Sequence, residues 1–595
     1  MKTIPQLWKQ NFKSNKSEDF LWDNILGKQT KKEFILKAYF IAGRIKKIEG
    51  EYIGIMLPAV GGASLLIMAT YLAGKIPVMF NWTLPTDAFK HCVNFSKVEK
   101  IISVSSFYDR VKSPVLDEYN KEGKFIFLED LLKDGKITEK VGALVKSFYM
   151  PLPKIVGNEN FHSLQNTAVI LFTSGSESLP KAVSLTHENL IENISGAIEI
   201  FKIQKDDVLL GFLPPFHSFG FTVNTIMPLI TGLRVVYTPD PNDAKTILEV
   251  IKNTKVTSIT ATPTFLKMIM NLASGDGLKT IRYVVVGAEK CPQAVFDRFS
   301  NLCPNGKILE GYGITECSPV VAINPIIGAK PGTVGKIIDC LDCKIVDVND
   351  FEKDMLLGEQ GMILVKGKSI FNGYLDEKIE SPFYKEWYKT GDLGFLDSDG
   401  FLTITGRLKR FIKIAGEMIS LPALEETIAK KYNTGEELEV AIEAIEKDGE
   451  SKIAIFSIKN LDLLEVNKYM RDNGIPNLVK ISEIIRVEEI PVMGTGKTDY
   501  KILKKMINFD EKKEIKYNFE NIEETLINKI SELTGIDNSK IEKNKEFGKD
   551  IHIDSIDVGE LMIFIRKSYN IEKQIKVENI KTFGDLVEIV ENKKK

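Results

Sequence analysis

The sequence of 595 residues has little of several features that would assign a protein to a class at once. Its 79 basic and 81 acidic residues nearly cancel, so the net charge of −2 indicates no basic surface for nucleic acid. Six cysteines are too few and too irregularly spaced for a disulfide framework, which favours a reducing, cytoplasmic setting. Cys340 and Cys343 have zinc-ligand spacing, but no second pair or nearby histidine completes a set, and two strand cysteines are the simpler interpretation.

Apolar targeting segments are also scarce. The charged amino terminus lacks the apolar region of a signal peptide, so export is not expected. An uncharged stretch at 52–74 is long enough to cross a bilayer, but Pro58, Gly61 and Gly62 interrupt it, and it is predicted to be a buried strand and helix. Peripheral contact with the inner face of a membrane is left open.

The composition is that of a globular protein, 44% apolar and 27% charged, over a length that suggests several domains. From about 30 to 290, short apolar runs alternate with helical patterns, which predicts a mostly parallel sheet. Short alternating segments at 330–405 predict a small β subdomain, and a further α/β segment continues to about 507. Residues 508–519 are rich in charge and have no core pattern, so they are predicted to be a linker.

The segment from 520 onward predicts a small helical bundle. Apolar residues from Ile522 to Leu533 fall on one face of a first helix, and a second helix follows Ser555. A third follows Thr582, which forms a pattern with Asp585 that resembles a capping box.

A segment rich in hydroxyl groups, 172–181, follows a predicted strand and reads Phe-Thr-Ser-Gly-Ser-Glu-Ser-Leu-Pro-Lys. Its amides, hydroxyls and final lysine are suited to surround phosphate oxygens, although it is not a Walker A loop and an ordinary turn is the alternative. Further motifs follow at 310–316, 387–392, 406–409 and 494–497. With these motifs the chain resembles the adenylate-forming superfamily of acyl-CoA synthetases, luciferases and peptide-synthetase adenylation domains, over about residues 10–506.

Within that superfamily, segments 172–177, 216–220, 316–320 and 410–420 resemble the acyl-[acyl carrier protein] synthetases. Family members usually carry glycine where this chain has Ser178 and Ala182. The resemblance therefore implies a phosphate loop that moves less freely, and slower turnover.

The resemblance also points to the type of acid. His217, between Phe216 and Phe219, matches the histidine that acyl and aryl ligases place beside the substrate carboxylate. Peptide-synthetase domains usually have an aspartate there, which pairs with an α-ammonium group. An amino-acid substrate is therefore disfavoured, and the neutral, apolar stretch 219–233 agrees with a fatty acid.

For ATP, the resemblance implies that Lys181 and a magnesium ion held by Glu316 share the pyrophosphate charge. Tyr312 would stack on adenine and Asp392 would bind the ribose hydroxyls. The full set of implied nucleotide contacts is Thr173, Ser174, Gly175, Ser176, Lys181, Gly287, Ala288, Glu289, Gly311, Tyr312, Gly313, Thr315, Asp392 and Arg407. The implied catalytic residues are Lys497, His217 and Lys181, and Lys409 matches the position of the family's hinge.

Residues 518–592 resemble an acyl carrier protein, because the run Ile-His-Ile-Asp-Ser-Ile-Asp at 551–557 places Ser555 at the start of an amphipathic helix. The resemblance implies that a phosphopantetheinyl transferase attaches 4′-phosphopantetheine to Ser555, while an ordinary helix cap is the alternative. His552 stands where glycine is more usual, which would alter recognition by that transferase or by partner enzymes.

The resemblances together imply an α/β multidomain chain. Its parts are an adenylate-forming domain of parallel sheets with a small β subdomain (1–407), a mobile α/β lid (408–507), the linker (508–519) and a four-helix carrier bundle (520–595). The implied activity is activation of a fatty acid with ATP and Mg²⁺, and its transfer to the chain's own carrier for a downstream acyltransferase or other acyl-accepting enzyme. The alternatives are an acyl-CoA or aryl-acid ligase of a polyketide-like pathway, and a non-catalytic carrier scaffold.

Overall fold

The computed structural model describes residues 2–12, 18–23, 27–133, 142–143, 163–173, 179–201, 203–204, 206–275, 277–414, 417–433, 439–447, 450–476, 479–492, 498–507, 521–534, 536, 538–547, 550–551, 555–569, 571 and 580–593. The chain forms two compact units, Met1–Lys409 with Val492–Thr498, and Arg410–Pro491 with Asp499–Lys595. The division of the sequence into four parts stays a prediction. In the described part of the chain, no helix is both long and apolar enough to span a membrane.

The first unit is a mixed α/β structure built on two large sheets and one smaller sheet. The nine-stranded sheet has the order β15-β14-β13-β12-β11-β9-β10-β1-β2. Its strands are β1 Asp19–Asp23, β2 Gly27–Thr30, β9 Val208–Gly211, β10 Arg234–Tyr237, β11 Ser258–Ala261, β12 Tyr283–Val286, β13 Lys307–Gly313, β14 Val320–Ile323 and β15 Lys336–Ile337. The parallel pairs are β1–β10, β10–β9, β9–β11, β11–β12 and β12–β13. The antiparallel pairs are β1–β2, β13–β14 and β14–β15.

The six-stranded sheet has the order β6-β5-β3-β4-β7-β8, and only its last pair is antiparallel. Its strands are β3 Tyr52–Ile55, β4 Ile76–Met79, β5 Ile101–Ser103, β6 Phe125–Phe127, β7 Thr167–Thr173 and β8 Lys181–Thr186. The prediction of largely parallel sheets therefore agrees with the structure, although the alternation of strand and helix does not specify which strands pair.

The predicted β subdomain is a five-stranded antiparallel sheet in the order β16-β17-β19-β18, with β20 paired to β19. Its strands are β16 Leu341–Val346, β17 Gly361–Gly367, β18 Phe383–Tyr384, β19 Trp387–Leu396 and β20 Leu402–Arg407.

Helices cover the two large sheets. They are α1 Ile4–Asn11, α2 Lys31–Ile45, α3 Gly61–Leu72, α4 Thr86–Ser96, α5 Ser105–Val111, α6 Pro114–Lys121, α7 Leu128–Leu132, α8 His187–Phe201, α9 Met227–Thr231, α10 Ala244–Thr254, α11 Pro263–Leu272 and α12 Gln293–Leu302. Every residue of α3 is buried, so the uncharged stretch 52–74 is a core strand and helix as predicted.

The second unit contains a hairpin, a three-stranded sheet and six helices in its described residues. The hairpin pairs β21 Phe411–Ile414 with β22 Glu417–Ser420, and the sheet consists of β23 Val440–Lys447, β24 Glu450–Ser457 and β25 Glu483–Arg486. The helices are α13 Leu421–Tyr432, α14 Leu463–Asp472, α15 Tyr500–Met506, α16 Ile522–Thr534, α17 Ser555–Tyr569 and α18 Phe583–Lys593.

Helices α16, α17 and α18 share a core that includes Leu526, Ile565 and Phe583. Thr582 and Asp585 exchange the two hydrogen bonds of a capping box at the start of α18, as the sequence predicted. Residues 572–579 lie outside the described part of the chain, and the predicted linker does too. The described residues show three α-helices that share a core here, and the four-helix carrier bundle stays a prediction.

Candidate functional site

Several predicted site residues follow parallel strands of the nine-stranded sheet at their carboxyl ends. The segment with His217 follows β9, Gly287 follows β12, and Gly311 to Gly313 end β13. Because parallel strands end at one edge of a sheet, these segments share that edge, where ligands of open α/β sheets commonly bind.

The glycines at this edge allow segments of backbone to approach closely. A Cβ atom added at Gly287 would lie 3.3 Å from the carbonyl oxygen of Gly311, and one at Gly313 would lie 2.4 Å from that of Pro319. Ala288 has a φ of 72°, in the left-handed region. Beside them, Thr264 donates a 2.8 Å hydrogen bond to Glu289 Oε2. Segments of backbone therefore lie close together around the predicted nucleotide contacts at this edge.

Asp392 connects two other predicted residues across the first unit. This carboxylate, on β19, is 2% exposed and accepts hydrogen bonds from the Tyr312 hydroxyl at 2.5 Å and from Arg407 Nε at 2.9 Å. Burial, and then the negative charge of Asp392, raise the pKa of Tyr312 well above its usual value, so this phenol remains a donor at neutral pH. The charge of Asp392 likewise raises the pKa of Arg407.

A second group joins Glu316 and Lys181 through a tyrosine that the sequence analysis missed. Tyr374 donates a 2.7 Å hydrogen bond to Glu316 Oε1, and the Lys181 ammonium lies 4.6 Å from the centre of its ring. Burial, and then the charge of Glu316, raise the pKa of Tyr374, so its hydroxyl also stays protonated. Thr315, next to Glu316, is 3.1 Å from the hydroxyl of Ser218 and so connects this group to the segment with His217.

Lys181 is the first residue of a strand rather than part of a loop, since it pairs with Thr173 across β7 and β8. Ala182 is buried in the same strand, where its carbonyl oxygen accepts a hydrogen bond from Leu375. Ser174, Gly175, Ser176 and Ser178 lie outside the described residues, and so does Lys497. The predicted roles of these residues stay predictions.

Helix α8, which follows β8, contains two buried asparagines that the sequence analysis also missed. They hold the segment that precedes Tyr374 and the segment that follows Glu316. Asn189 Nδ2 donates to the carbonyl oxygens of Lys368 and Ile370, at 2.8 and 2.9 Å. Asn193 Nδ2 donates to those of Cys317 and Val320, at 2.9 and 2.7 Å, and its Oδ1 accepts from the Val320 amide. No local motif identifies these contacts, because the carbonyl oxygens that accept from Nδ2 lie more than a hundred positions away in sequence.

Alanine in place of Asn193 is expected to destabilise the first unit by about 3 kcal/mol, because two carbonyl oxygens and one amide lose their partner at a site with 0% exposure. Urea denaturation, followed by tryptophan fluorescence, measures the change. The control is alanine at Asn301, an exposed residue of helix α12, for which a change below about 0.5 kcal/mol is expected. Equal losses in the two variants would contradict the role given to Asn193.

The segment around His217 is aromatic, with the Phe216 and His217 rings 5.2 Å apart and the Phe216 and Trp82 rings 4.6 Å apart. It continues into a π-helix, Gly220–Ile226. Here the expectation of an apolar stretch needs correction, since Asn224 is buried, accepts a 2.6 Å hydrogen bond from Thr260 and bonds through its carbonyl oxygen to Tyr237. The stretch is neutral, but its buried side chains include polar ones.

The remaining predicted residues are Lys409, where the main segment of the first unit ends, and residues of the second unit. Lys409 belongs to a 3₁₀ turn, Leu408–Arg410, at the boundary between the units. Ser555 is the first residue of α17, and its side chain lies outside the described part of the structure. His552 lies outside the described residues.

The geometry fits ATP and magnesium. The Glu316 carboxylate binds Tyr374 through Oε1, and its Oε2 has no hydrogen bond to any described residue, which leaves an oxygen of the kind Mg²⁺ prefers. A side chain at Gly287 would fill the space beside Gly311 and Phe219, so the glycine keeps that space open. Asp392 is a buried carboxylate held by two donors, and a carboxylate is a suitable acceptor for the ribose hydroxyls of ATP.

Comparison with known proteins agrees with this geometry. The model of the AMP-binding enzyme family matches residues 38–375, more than half of the chain, and the chain belongs to that family. It is 25% identical to a probable 4-coumarate–CoA ligase 3 of Dictyostelium discoideum, covering 85% of this chain and 96% of the relative. It is also 25% identical to a long-chain-fatty-acid–CoA ligase of Yersinia pestis, covering 76% of this chain and 84% of the relative.

Solved structures share the fold. ATP-bound MatB from Rhodopseudomonas palustris superposes with a TM-score of 0.71 at 20% identity, over 85% of this chain and 99% of that one. The O-succinylbenzoate coenzyme A synthetase MenE from Bacillus subtilis, in complex with ATP and a magnesium ion, gives a TM-score of 0.69 at 21% identity, over 82% of this chain and 98% of that one. The match to the family model confirms the predicted superfamily.

Proposed function

We propose that this protein is an ATP-dependent acid ligase that activates a fatty acid and transfers it to a thiol on its own carboxy-terminal segment. Two neighbouring groups of side chains carry the proposal. In the first, Tyr374 contacts both Lys181 and Glu316. In the second, Asp392 accepts hydrogen bonds from Tyr312 and Arg407, and Arg407 lies near enough to Glu316 to feel its charge. Activation of a carboxylic acid with ATP requires a positive charge near the phosphates and an oxygen ligand for magnesium, which Lys181 and Glu316 would supply. It also requires a group that binds the ribose hydroxyls, which Asp392 would supply.

In the first step, a carboxylate oxygen of the acid attacks the α-phosphorus of ATP. A bond forms between that oxygen and phosphorus, the bond to the β-phosphate bridge breaks, and pyrophosphate leaves. Lys181 would stabilise the phosphate charge, Glu316 would hold the metal that neutralises it, and Asp392 would fix the ribose. Lys497 would stabilise the α-phosphate, and His217 would orient the acid carboxylate.

In the second step, a thiol sulfur gives up its proton to solvent and bonds to the acyl carbon, the bond from that carbon to the phosphate-linked oxygen breaks, and AMP leaves with that oxygen. A 4′-phosphopantetheine group on Ser555 would supply that thiol. The start of α17 at Ser555 supports this assignment, because the amides at the beginning of a helix favour the negative charge of a phosphodiester. A thiol tethered to the same chain would act at millimolar effective concentration.

A second candidate is an acid–CoA ligase, because relatives that match most of this chain are named as CoA ligases for long-chain fatty acids and for 4-coumarate. Both candidates share the first step and differ in the thiol. Protein co-expressed with a phosphopantetheinyl transferase, then given ATP, mixed fatty acids and either no CoA or free CoA, separates them by intact mass. An acylated chain formed without CoA supports the proposal, whereas acyl-CoA with an unmodified chain supports the second candidate.

Fatty acids are expected to react far better than amino acids. No acidic side chain lies in the stretch 219–233, so an α-ammonium group bound there would remain unpaired, at a cost of several kcal/mol. Longer fatty acids should gain about 0.8 kcal/mol for each buried methylene, close to fourfold in kcat/KM, until the binding site ends. Pyrophosphate release across a panel of both types of acid tests this. Preference for an amino acid, or no effect of chain length, would overturn the fatty-acid assignment.

A further inference from the structure

The Tyr374 side chain lies between two groups of opposite charge. Its hydroxyl donates to Glu316 Oε1 at 2.7 Å, and its ring is 4.6 Å from the Lys181 ammonium. In the described part of the chain, neither Lys181 nor Glu316 forms an ion pair with a side chain, although Tyr374 contacts both. An ammonium and a carboxylate so close to one side chain would otherwise neutralise each other.

The position of Tyr374 is fixed by contacts with strand β8 and with Phe371. Its backbone bridges to Val183 in β8, and the following amide, of Leu375, donates to the Ala182 carbonyl oxygen at 3.1 Å. The Phe371 ring packs edge-on against it at 5.0 Å, and the Phe371 amide donates to the Glu316 carbonyl oxygen at 2.9 Å. Tyr374 is thus attached through backbone contacts to the strand of Lys181 and to the turn of Glu316.

We propose that Tyr374 is a positioning residue that keeps Lys181 and Glu316 apart and directs each toward its own ligand. The hydroxyl engages one carboxylate oxygen of Glu316, which leaves Oε2 for the metal. The ring attracts the ammonium of Lys181 without neutralising it, which leaves its charge for phosphate. The inference rests on the proposed function of these two residues as metal and phosphate ligands.

Two substitutions separate the hydroxyl from the ring. Tyr374→Phe removes the hydrogen bond to Glu316 but keeps the ring under Lys181, whereas Tyr374→Leu removes both. The matched control is Tyr384→Phe, since Tyr384 also donates to a carboxylate, that of Glu352, on the exposed face of the same subdomain. Thermal melting of each variant confirms that it is folded.

The main readout is the binding of a non-hydrolysable ATP analogue, measured by calorimetry with Mg²⁺ and with EDTA. Tyr374→Phe is expected to reduce the gain in affinity from Mg²⁺ about tenfold and to leave binding in EDTA unchanged, because a hydrogen bond to a charged group has been lost. Tyr374→Leu is expected to weaken binding in EDTA as well, by about fivefold or more, because Lys181 can now pair with Glu316. Tyr384→Phe should behave as the wild type.

A double-mutant comparison tests whether Tyr374 acts through Glu316. In a Glu316→Gln background, Tyr374→Phe should have no further effect on the gain from Mg²⁺. Any of three results would overturn the inference. The first is a Tyr374→Phe protein that gains as much affinity from Mg²⁺ as the wild type, and the second is equal binding of the Tyr374→Phe and Tyr374→Leu proteins in EDTA. The third is a loss from Tyr374→Phe that is as large in the Glu316→Gln background as in the wild type. If the Leu variant does not fold, Tyr374→Met replaces it with an unbranched side chain.

These binding measurements do not depend on turnover. A wild-type protein that binds the analogue but releases no pyrophosphate with any acid would overturn the proposed function and leave the Tyr374 result standing. A wild type in which Mg²⁺ gives no gain in affinity would overturn the inference itself.

Discussion

Replacement of Ser555 by alanine is expected to abolish covalent acyl loading of the chain and to leave activation of the acid intact. In the proposed reaction, Ser555 serves only as the attachment point of the thiol group, at the start of α17, and takes no part in chemistry at the phosphates. Intact mass after incubation with ATP and a fatty acid measures loading, and acid-dependent pyrophosphate exchange measures activation. Loading should fall from complete to undetectable.

The control for this substitution is Ser568→Ala, which changes a serine near the other end of the same helix. It should load normally, because it keeps the attachment point. Acyl label that persists as a thioester on the Ser555→Ala protein would contradict the assignment of the carrier segment. Simultaneous loss of pyrophosphate exchange would contradict the separation of the two steps.

Replacement of Lys497 by alanine is expected to slow the first step about 10²- to 10³-fold and to affect the second step far less. Loss of one preorganised donor to a developing charge has effects of this size. The sequence implies a hinge at Lys409, and a segment that moves between the two steps would remove Lys497 from the acyl group before the thiol attacks. Single-turnover assays starting from acid and ATP, or from synthetic acyl adenylate, measure the steps separately.

Lys468→Ala provides the control, since this exposed lysine lies on α14 and has no role in the proposed reaction. Its two rates should equal those of the wild type. Equal losses in both steps for Lys497→Ala would show that the lysine does not act on the first step alone.

Much of the architecture follows from local sequence. Strand β12, at Tyr283–Val286, coincides with the apolar run that predicted it, and helix α18 begins at the predicted Thr582 cap. In these places the decisive interactions lie within one strand or one helical turn, so the pattern of apolar and capping residues is sufficient. The assignment of strands to two separate sheets required contacts between distant segments and was not predictable from this pattern.

The candidate site follows the same rule. Motifs identified Glu316, Asp392 and Lys181, which are the groups proposed to meet the ligand. Tyr374 has no chemistry of its own in the reaction, and its importance comes from its contact with Glu316, 58 positions earlier. Asn193 acts on a carbonyl oxygen 127 positions later. Such supporting residues become visible only when the folded chain brings them to their partners.

Helix α8 holds two segments of the site, and the way it does so affects how the specificity for the acid can change during evolution. Asn189 and Asn193 bind backbone carbonyl oxygens, so their hydrogen bonds do not depend on which side chains those segments carry. The region proposed to meet the acid lies instead on the π-helix that follows His217, a geometry frequently found at functional sites. Side chains of that π-helix can therefore be exchanged for others without loss of the bonds that hold the phosphate end in place. Recognition of the acid and reaction at phosphorus are to this extent separate modules, and a lineage can acquire a new substrate while retaining its chemistry.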